Sequence, residues 1–327
     1  MINKVHIKNF KSIKDLEFDC SRVNIFIGEP NTGKSNILEA IGIFTLPNMP
    51  DFYQISRLIR IERSYNIFFN ENTNENINIK LTENNSNIFS LSWSYYNGNA
   101  FAECINETMK KSVMRFELSI DLHFAKIHFS EKEVPSIKFY KFIPMMDFNG
   151  HEVGYLRPPN GNNLPQLIRL NNEVQEFASS LFEPYGYKIE IDLHESLIKI
   201  YREGHIGESL PYFLTSDTLQ RILFYETAIK TNNNCSLLFE EPEAHIFPFY
   251  SEQLALSIKY STNQFFVTTH NPHFLYMLLN KMPPEELNVF KVYYENYQTY
   301  VKLLDVNNLL NLLINDNDIL LNINQIE

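Results

Sequence analysis

The stretch Gly28–Ser35, GEPNTGKS, decides the fold. It fits a glycine, four residues and then Gly-Lys-Ser with no mismatch. Both flanks suit it. VNIFIG ahead is an apolar run of strand character, and NILEAIGIF behind sets Ile37, Leu38, Ile41 and Phe44 at helical spacing. In a strand–loop–helix of this kind, backbone N–H groups freed by the glycines wrap phosphate oxygens. Lys34 adds a positive charge at the β- and γ-phosphates, and the Ser35 hydroxyl can ligate Mg²⁺. The helix start turns its positive end to the same anion. Gly28, Asn31, Thr32, Gly33, Lys34, Ser35 and Asn36 are the candidate nucleotide-binding residues, with ATP and Mg²⁺ implied.

Two more strand-like runs end in chemistry. Ser236–Glu241, SLLFEE, is apolar and closes on two carboxylates. Beside a phosphate loop, Glu240 suits the metal side together with Ser35. Glu241 suits a base that polarises water for attack on the γ-phosphate. Gln264–Pro272, QFFVTTHNP, is a second apolar strand that ends at His270. A histidine there can contact the γ-phosphate and orient the attacking water. Alone, a strand-end histidine is usually structural. The order phosphate loop, acidic strand, histidine strand makes Glu241 and His270 catalytic candidates.

The totals agree with this reading. At 327 residues there is room for one large domain or two ordinary ones. No apolar run reaches the length of a membrane span, so no membrane partner is expected. The start, MINKVHIKNF, alternates like a strand and does not read as a signal peptide. Cys20, Cys104 and Cys235 are scattered without a CxxC, which argues against a zinc hook or disulfide framework and for a reducing cytoplasm. The net charge of −11 argues against DNA binding over the whole surface. Lys4, Lys8, Lys11, Lys14, Arg22 and Lys34 still concentrate positive charge near the start, so a local patch for DNA stays open.

INKVHIKNF and KDLEFDC alternate as strands, and Pro47 and Pro50 end the helix after the phosphate loop. QISRLIRIERSYNIFF reads as a helix or a helix–strand junction. Its Arg57, Arg60 and Arg63 fall every third residue and could share a face for DNA, a partner or solvent. From about Glu71, Asn-rich loops separate INIKL, IFSLSWSYY, RFELSIDLHFAKIHF and SIKFYKFI, whose period of two gives an antiparallel β insert. One helix is expected over Gln166–Phe182, then a hairpin from YKIEIDL and LIKIYRE. Helices follow through LQRILFYETAIK and around FYSEQLALSIKY, and the tail from Val289 gives a strand pair and a short helical end. The fold class is α/β, a mixed sheet flanked by helices with an antiparallel β-rich insert. Internal repeats and sustained heptads are absent from the sequence.

KVHIKNFKSI, GEPNTGKSNILEAI, LLFEEPEAHIFP and VTTHNP together resemble the ABC-type ATPase heads of the structural-maintenance-of-chromosomes (SMC) kind. Among these the chain looks most like the single-chain AAA-domain ATPases related to the overcoming-lysogenization-defect proteins. The matching residues lie at both ends of the chain. The resemblance implies a P-loop NTPase head in three segments. Residues 1–70 are the N-terminal lobe with the phosphate loop, 71–204 the β-rich and helical insert, and 205–327 the C-terminal lobe with signature helix, acidic strand and histidine switch. It also implies an ATP-sandwiched homodimer or higher assembly, each site using the phosphate loop of one chain and the signature helix of another. ATP is then a glue whose loss opens the dimer. EEPEAHIFP extends past the acids to a loop that faces the partner in that group, which makes Glu243 and His245 candidates for that face.

The signature falls on Leu214–Leu223, LTSDTLQRIL. Against the family's Leu-Ser-x-Gly, Ser216 takes the serine, Thr218 the glycine, and Asp217 lies between. Ser216 is a good N-cap, its hydroxyl divided between capping and phosphate. Thr218 adds bulk where glycine allows the closest approach, though it brings a hydroxyl. Asp217 adds negative charge near an anion unless it turns to Arg221 or solvent. ATP binding, altered engagement in trans and slow hydrolysis are expected. Gln54 stands after the first helix, where a glutamine loop would, and reads better as a surface residue.

Coiled-coil arms and a C-terminal metal-nuclease domain are expected to be absent, Asp316 and Asp318 being too few and isolated for one. Any effector activity is therefore expected in another chain, and the resemblance implies a nuclease or toxin in anti-phage defence or genome protection. The alternative is an ATP-stabilised scaffold that holds an effector with little hydrolysis. A transporter motor is disfavoured by the atypical signature, the β insert and the KNFKSI pattern.

Overall fold

The computed structural model describes residues 1–49, 55–130, 133–150, 153–192, 196–202 and 209–315. Gln54, Asp316, Asp318 and the side chain of Arg57 lie outside the described residues.

The chain opens with β1 (Ile2–Phe10) and β2 (Ile13–Asp19), an antiparallel pair with Val5 opposite Phe18 and Ile7 opposite Leu16. β3 (Val23–Ile27) runs into the phosphate loop and α1 (Lys34–Gly42). A 3₁₀ turn with Pro47 inside it ends that helix, and α2 (Ile55–Leu58) is short. Five antiparallel strands follow: β4 (Ile77–Glu83), β5 (Asn87–Tyr96), β6 (Asn99–Asn106), β7 (Lys111–Ser119) and β8 (Phe124–Phe129). β9 (Ile137–Tyr140) comes next.

The single helix expected over Gln166–Phe182 is two, α3 (Leu164–Leu170) and α4 (Asn172–Phe182). Asn171 breaks them, because its extended backbone and its side chain, which accepts from Val174 N at 3.2 Å, make it an N-cap. β10 (Tyr187–Asp192), β11 (Leu197–Arg202) and β12 (Ser209–Pro211) form a small antiparallel sheet. Then come α5 (Asp217–Lys230), β13 (Ser236–Glu240), α6 (Pro248–Tyr260), β14 (Gln264–Thr268) and α7 (Pro272–Lys281). The hairpin β15 (Leu287–Glu295) and β16 (Gln298–Leu304) and the helix α8 (Val306–Asn315) close the described chain.

Among the described residues the strands make three sheets. The seven-stranded one, in order β2-β1-β4-β5-β6-β7-β8, is antiparallel, and the six-stranded one runs β16-β15-β3-β14-β13-β9. Segment 71–204 thus feeds all three sheets. Its first strands extend the β1–β2 pair, and β9 is the edge of the central sheet, parallel to β13.

The central sheet explains the apolar runs. β3 and β14 are buried along their whole length and β13 nearly so, since both faces are covered. Alternate residues serve separate cores. Val23, Ile25, Phe265, Val267, Leu237 and Phe239 face the helices α4 to α8, while Phe26, Phe266 and Leu238 face α1 and the seven-stranded sheet. β14 lies between β3 and β13, parallel to both. The phosphate loop, the acid pair and the histidine therefore leave the sheet at one edge, at the carboxyl ends of adjacent strands. In open α/β sheets that edge is where ligands bind.

Candidate functional site

The phosphate loop is tightly backed. Gly33 is in a left-handed conformation (φ 102) at the N-cap of α1, and a Cβ there would sit 2.1 Å from Thr299 Oγ1. A Cβ on Gly28 would fall 2.2 Å from the carbonyl oxygen of Val292. Both glycines are required because the β15–β16 hairpin presses on the loop from behind. A relay fixes the contact. Asn36 Nδ2 donates to Ser12 Oγ (2.7 Å), Ser12 meets Thr299 Oγ1 (2.7 Å), and Thr299 donates to the Thr32 carbonyl (2.9 Å). Thr32 and Asn36, expected at the nucleotide, spend their side chains on this support, Thr32 Oγ1 donating to the Glu29 carbonyl at 2.9 Å. Asn31 contributes a left-handed backbone (φ 62). Lys34 Nζ donates to the carbonyls of Gly28 (2.9 Å) and Glu29 (2.6 Å). Burial pushes its ammonium down to about 8, against the pull of Glu241 and Glu29.

Glu240 and Ser35 come together, the serine hydroxyl being one of the groups that lower the Glu240 carboxyl. Glu240 is also bridged to a second acid, Glu39, which is fully buried on α1. Lys141 lies 3.2 Å from Glu240 and 3.7 Å from Glu39. Arg60 spans the same two, at 3.4 Å and 3.0 Å. Lys11 forms a third ion pair with Glu39. Burial works to raise the Glu240 carboxyl, but Lys141, Ser35 and Arg60 together hold it below its ordinary value. Three cations on two carboxylates leave this edge of the site positive.

Glu241 is left-handed (φ 45), its backbone N–H shared between the carbonyl (3.1 Å) and hydroxyl (3.2 Å) of Thr268. Its carboxylate lies 3.5 Å from His270 Nε2, both side chains being partly open to solvent (45% and 39%). Burial and then Lys34 lower the His270 imidazole, outweighing Glu241, so it is neutral at pH 7.

The signature stretch is held differently. Ser216 is the N-cap residue of α5, yet its side chain makes no cap hydrogen bond and is exposed. Asp217 turns back to Arg221 (2.9 Å), which stacks on Phe142. Thr218 donates its hydroxyl to the His245 carbonyl at 2.7 Å, tying the helix start to the loop after the acids. Beside Ser216 lies a cavity of about 450 Å³ walled by Leu214, Phe182, Tyr185, Phe247 and Tyr250. Of the two residues expected on a partner-facing loop, His245 is exposed, but Glu243 is only 3% exposed and turned inward to Thr269. A carboxyl so placed has no surface to offer a partner.

With this geometry in hand, the comparisons are consistent. The SMC head bound to the C-winged helix domain of ScpA superposes with a TM-score of 0.52 at 15% identity, over 95% of this chain and 99% of that one. An SMC head domain with an extended coiled coil, bound to the C-terminal domain of ScpA derived from Pyrococcus furiosus, gives 0.52 at 13% identity, over 96% and 98%. The fold is that of an SMC-like ATPase head. Residues 1–152 match the AAA ATPase domain family. An "ATP/GTP phosphatase" of Helicobacter pylori (strain ATCC 700392 / 26695) is 22% identical over 325 residues, 85% of this chain and 87% of that protein.

Sequence reading missed Ser12, Thr299, Lys11, Glu39 and Lys141 in this fold. Only Glu39 left a trace, as a lone acid among the apolar positions of α1. The basic residues near the start are largely matched by acids: Lys4 with Glu17 (2.6 Å), Lys8 with Asp15 (3.2 Å), Arg22 with Glu286 (2.7 Å). Arg60 and Arg63 likewise serve different acids, Arg63 pairing with Asp121. Among the described residues no helix is long and apolar enough to cross a membrane.

Proposed function

We propose that this chain binds ATP with Mg²⁺ and hydrolyses it slowly, and that nucleotide gates its assembly into a homodimer or higher oligomer that controls a separate effector protein. The observation that carries the reading is the convergence at one sheet edge: Ser35 beside Glu240, and Glu241 within 3.5 Å of His270. Lys34 exchanges the loop carbonyls for phosphate oxygens, which accept its hydrogen bonds in their place. Glu241 takes the proton of the attacking water, and neutral His270 orients that water against the γ-phosphate. Ser35 and Glu240 are an oxygen donor pair that fits a magnesium ion, and bound there it would neutralise charge on the phosphates.

Ser216 keeps a free hydroxyl at a helix N-terminus, which suits it to a γ-phosphate held by a second copy. The likeness to heads described as ScpA-bound supports a protein partner. The sequence resemblance makes a nuclease or toxin in anti-phage defence the effector of choice. Matched N-terminal charges leave direct DNA binding with less support. One observation favours the scaffold alternative: Thr218 is committed to His245 and so brings no hydroxyl to a phosphate.

Phosphate release under ATP and Mg²⁺ tests the proposal. Wild type turning over slowly and Glu241→Gln not at all supports the switch. Nucleotide binding without release from wild type leaves the scaffold, and no nucleotide binding sinks both.

A further inference from the structure

Glu243 is the odd residue of the acidic loop. It lies two positions past Glu241, is almost fully buried, and carries a charge-bearing group where packing alone would place an apolar one. One carboxylate oxygen accepts from Thr269 Oγ1, and the other has no hydrogen-bond partner among the described residues. The Thr269 hydroxyl in turn accepts from Asn271 N at 3.0 Å, and Asn271 Oδ1 caps α7 through His273 N and Phe274 N.

The loop around Glu243 is itself tightly turned. Ala244 N donates to the Glu241 carbonyl and Ile246 N to the Glu243 carbonyl, each at 3.0 Å. Glu241 sits in a left-handed conformation that a non-glycine side chain keeps only when its neighbours hold it. The Glu241 backbone is fixed to Thr268, and two residues on, the Glu243 side chain is fixed to Thr269, the residue before His270. These two ties determine how the Glu241 carboxylate and the His270 ring face each other across 3.5 Å.

We infer that Glu243 is a positioning residue acting within its own chain: by clamping Thr269, the residue before His270, it holds His270 and Glu241 in register for reaction. The role rests on the ATPase reading above, and it differs from a contact across a dimer. Burial raises the Glu243 carboxyl to about 7, so much of it carries a proton at neutral pH and a neutral amide is a fair replacement.

The test is steady-state phosphate release, with nucleotide affinity measured separately, for wild type, Glu243→Ala, Glu243→Gln and Thr269→Val. Glu243→Ala and Thr269→Val are expected to lower kcat about 10- to 100-fold, the cost of a catalytic group displaced by a fraction of an ångström, with KM and affinity within about twofold. Glu243→Gln, whose amide oxygen still accepts from Thr269, is expected within about threefold of wild type. Should Glu243→Ala fail to fold, Thr269→Val breaks the same tie from the other side.

Wild-type kcat in Glu243→Ala or Thr269→Val overturns the inference, as does a Glu243→Gln variant as impaired as the alanine. Adding Glu243→Ala to Glu241→Gln separates the partner-facing role. Loss of ATP-driven self-association there, with nucleotide still bound, places Glu243 at the dimer face and overturns the inference. Wild type that releases no phosphate removes the ATPase reading and this inference with it. Hydrolysing wild type alongside an unaffected Glu243→Ala removes the inference alone.

Discussion

The phosphate-loop edge and the signature helix are the two halves of the expected site, and they are built in opposite ways. At the first, nearly every polar side chain already has a protein partner. Lys34 is on loop carbonyls, Ser35 is beside Glu240, Glu240 is on Lys141 and Arg60, and Glu241 faces His270. At the second, Asp217 and Thr218 are tied to their own chain while Ser216 stands free and exposed beside an apolar cavity. The first half is preorganised, with the geometry of reaction set before substrate arrives. The second has one uncommitted donor and lacks anything of its own to donate to.

The sharpest way to break this contrast is at the base. Glu241→Gln is expected to lower phosphate release by about 10²- to 10⁴-fold while nucleotide affinity stays within about twofold, read by a phosphate sensor and by calorimetry. A loss of affinity of the same size would mean that the half-site is not preorganised for chemistry.

Next in size is the buried ion network. Lys141→Met leaves Glu39 and Glu240 with fewer cations and is expected to cost about 2–3 kcal/mol in denaturant unfolding, less than a fully stranded charge because Arg60 and Lys11 remain. The pH dependence has a defined sign. The Glu240 carboxyl is held below its ordinary 4.5, so its contribution is present above that pH and lost as pH falls through the lowered folded value. Lys141→Met should shrink that acid-side loss. An unchanged acid limb would show that Lys141 does not hold Glu240.

The signature helix contains the reverse case. Glu226 on α5 is buried, with one oxygen accepting from Ser257 (2.9 Å), and burial raises it from 4.5 to about 7. The folded state therefore keeps a proton that the unfolded chain releases, and stability falls as pH rises through that window. Glu226→Gln is expected to gain about 2 kcal/mol on wild type between pH 5 and pH 8, seen in paired melts. Parallel melts across that range would contradict it.

The smallest effect is at Thr218. Thr218→Val keeps the bulk and loses the bond to His245, for an expected cost of about 1 kcal/mol with nucleotide affinity unchanged.

How much of this was legible follows from distance along the chain. The phosphate loop, Glu240–Glu241 and His270 are short patterns at strand ends, each read from a few neighbouring residues. Their meeting follows from parallel pairing of β3, β14 and β13. The supports are long-range. Ser12 meets Thr299 across 287 residues, which no local pattern encodes. Lys141 reaches Glu240 because β9 pairs with β13, whereas its sequence, SIKFYKFI, reads like the antiparallel strands before it. Glu243 is expected, by resemblance, on a loop facing a partner, and the turn that buries it is not encoded in its neighbours.

The most direct single measurement is solution mass by light scattering of Glu241→Gln with and without ATP and Mg²⁺, beside Glu241→Gln carrying Ser216→Arg. If a second copy completes the site, ATP roughly doubles the mass of the first protein and not of the second, although both bind nucleotide. ATP-bound Glu241→Gln that keeps its nucleotide-free mass, or a Ser216→Arg variant that associates equally well, would contradict a site shared between two chains.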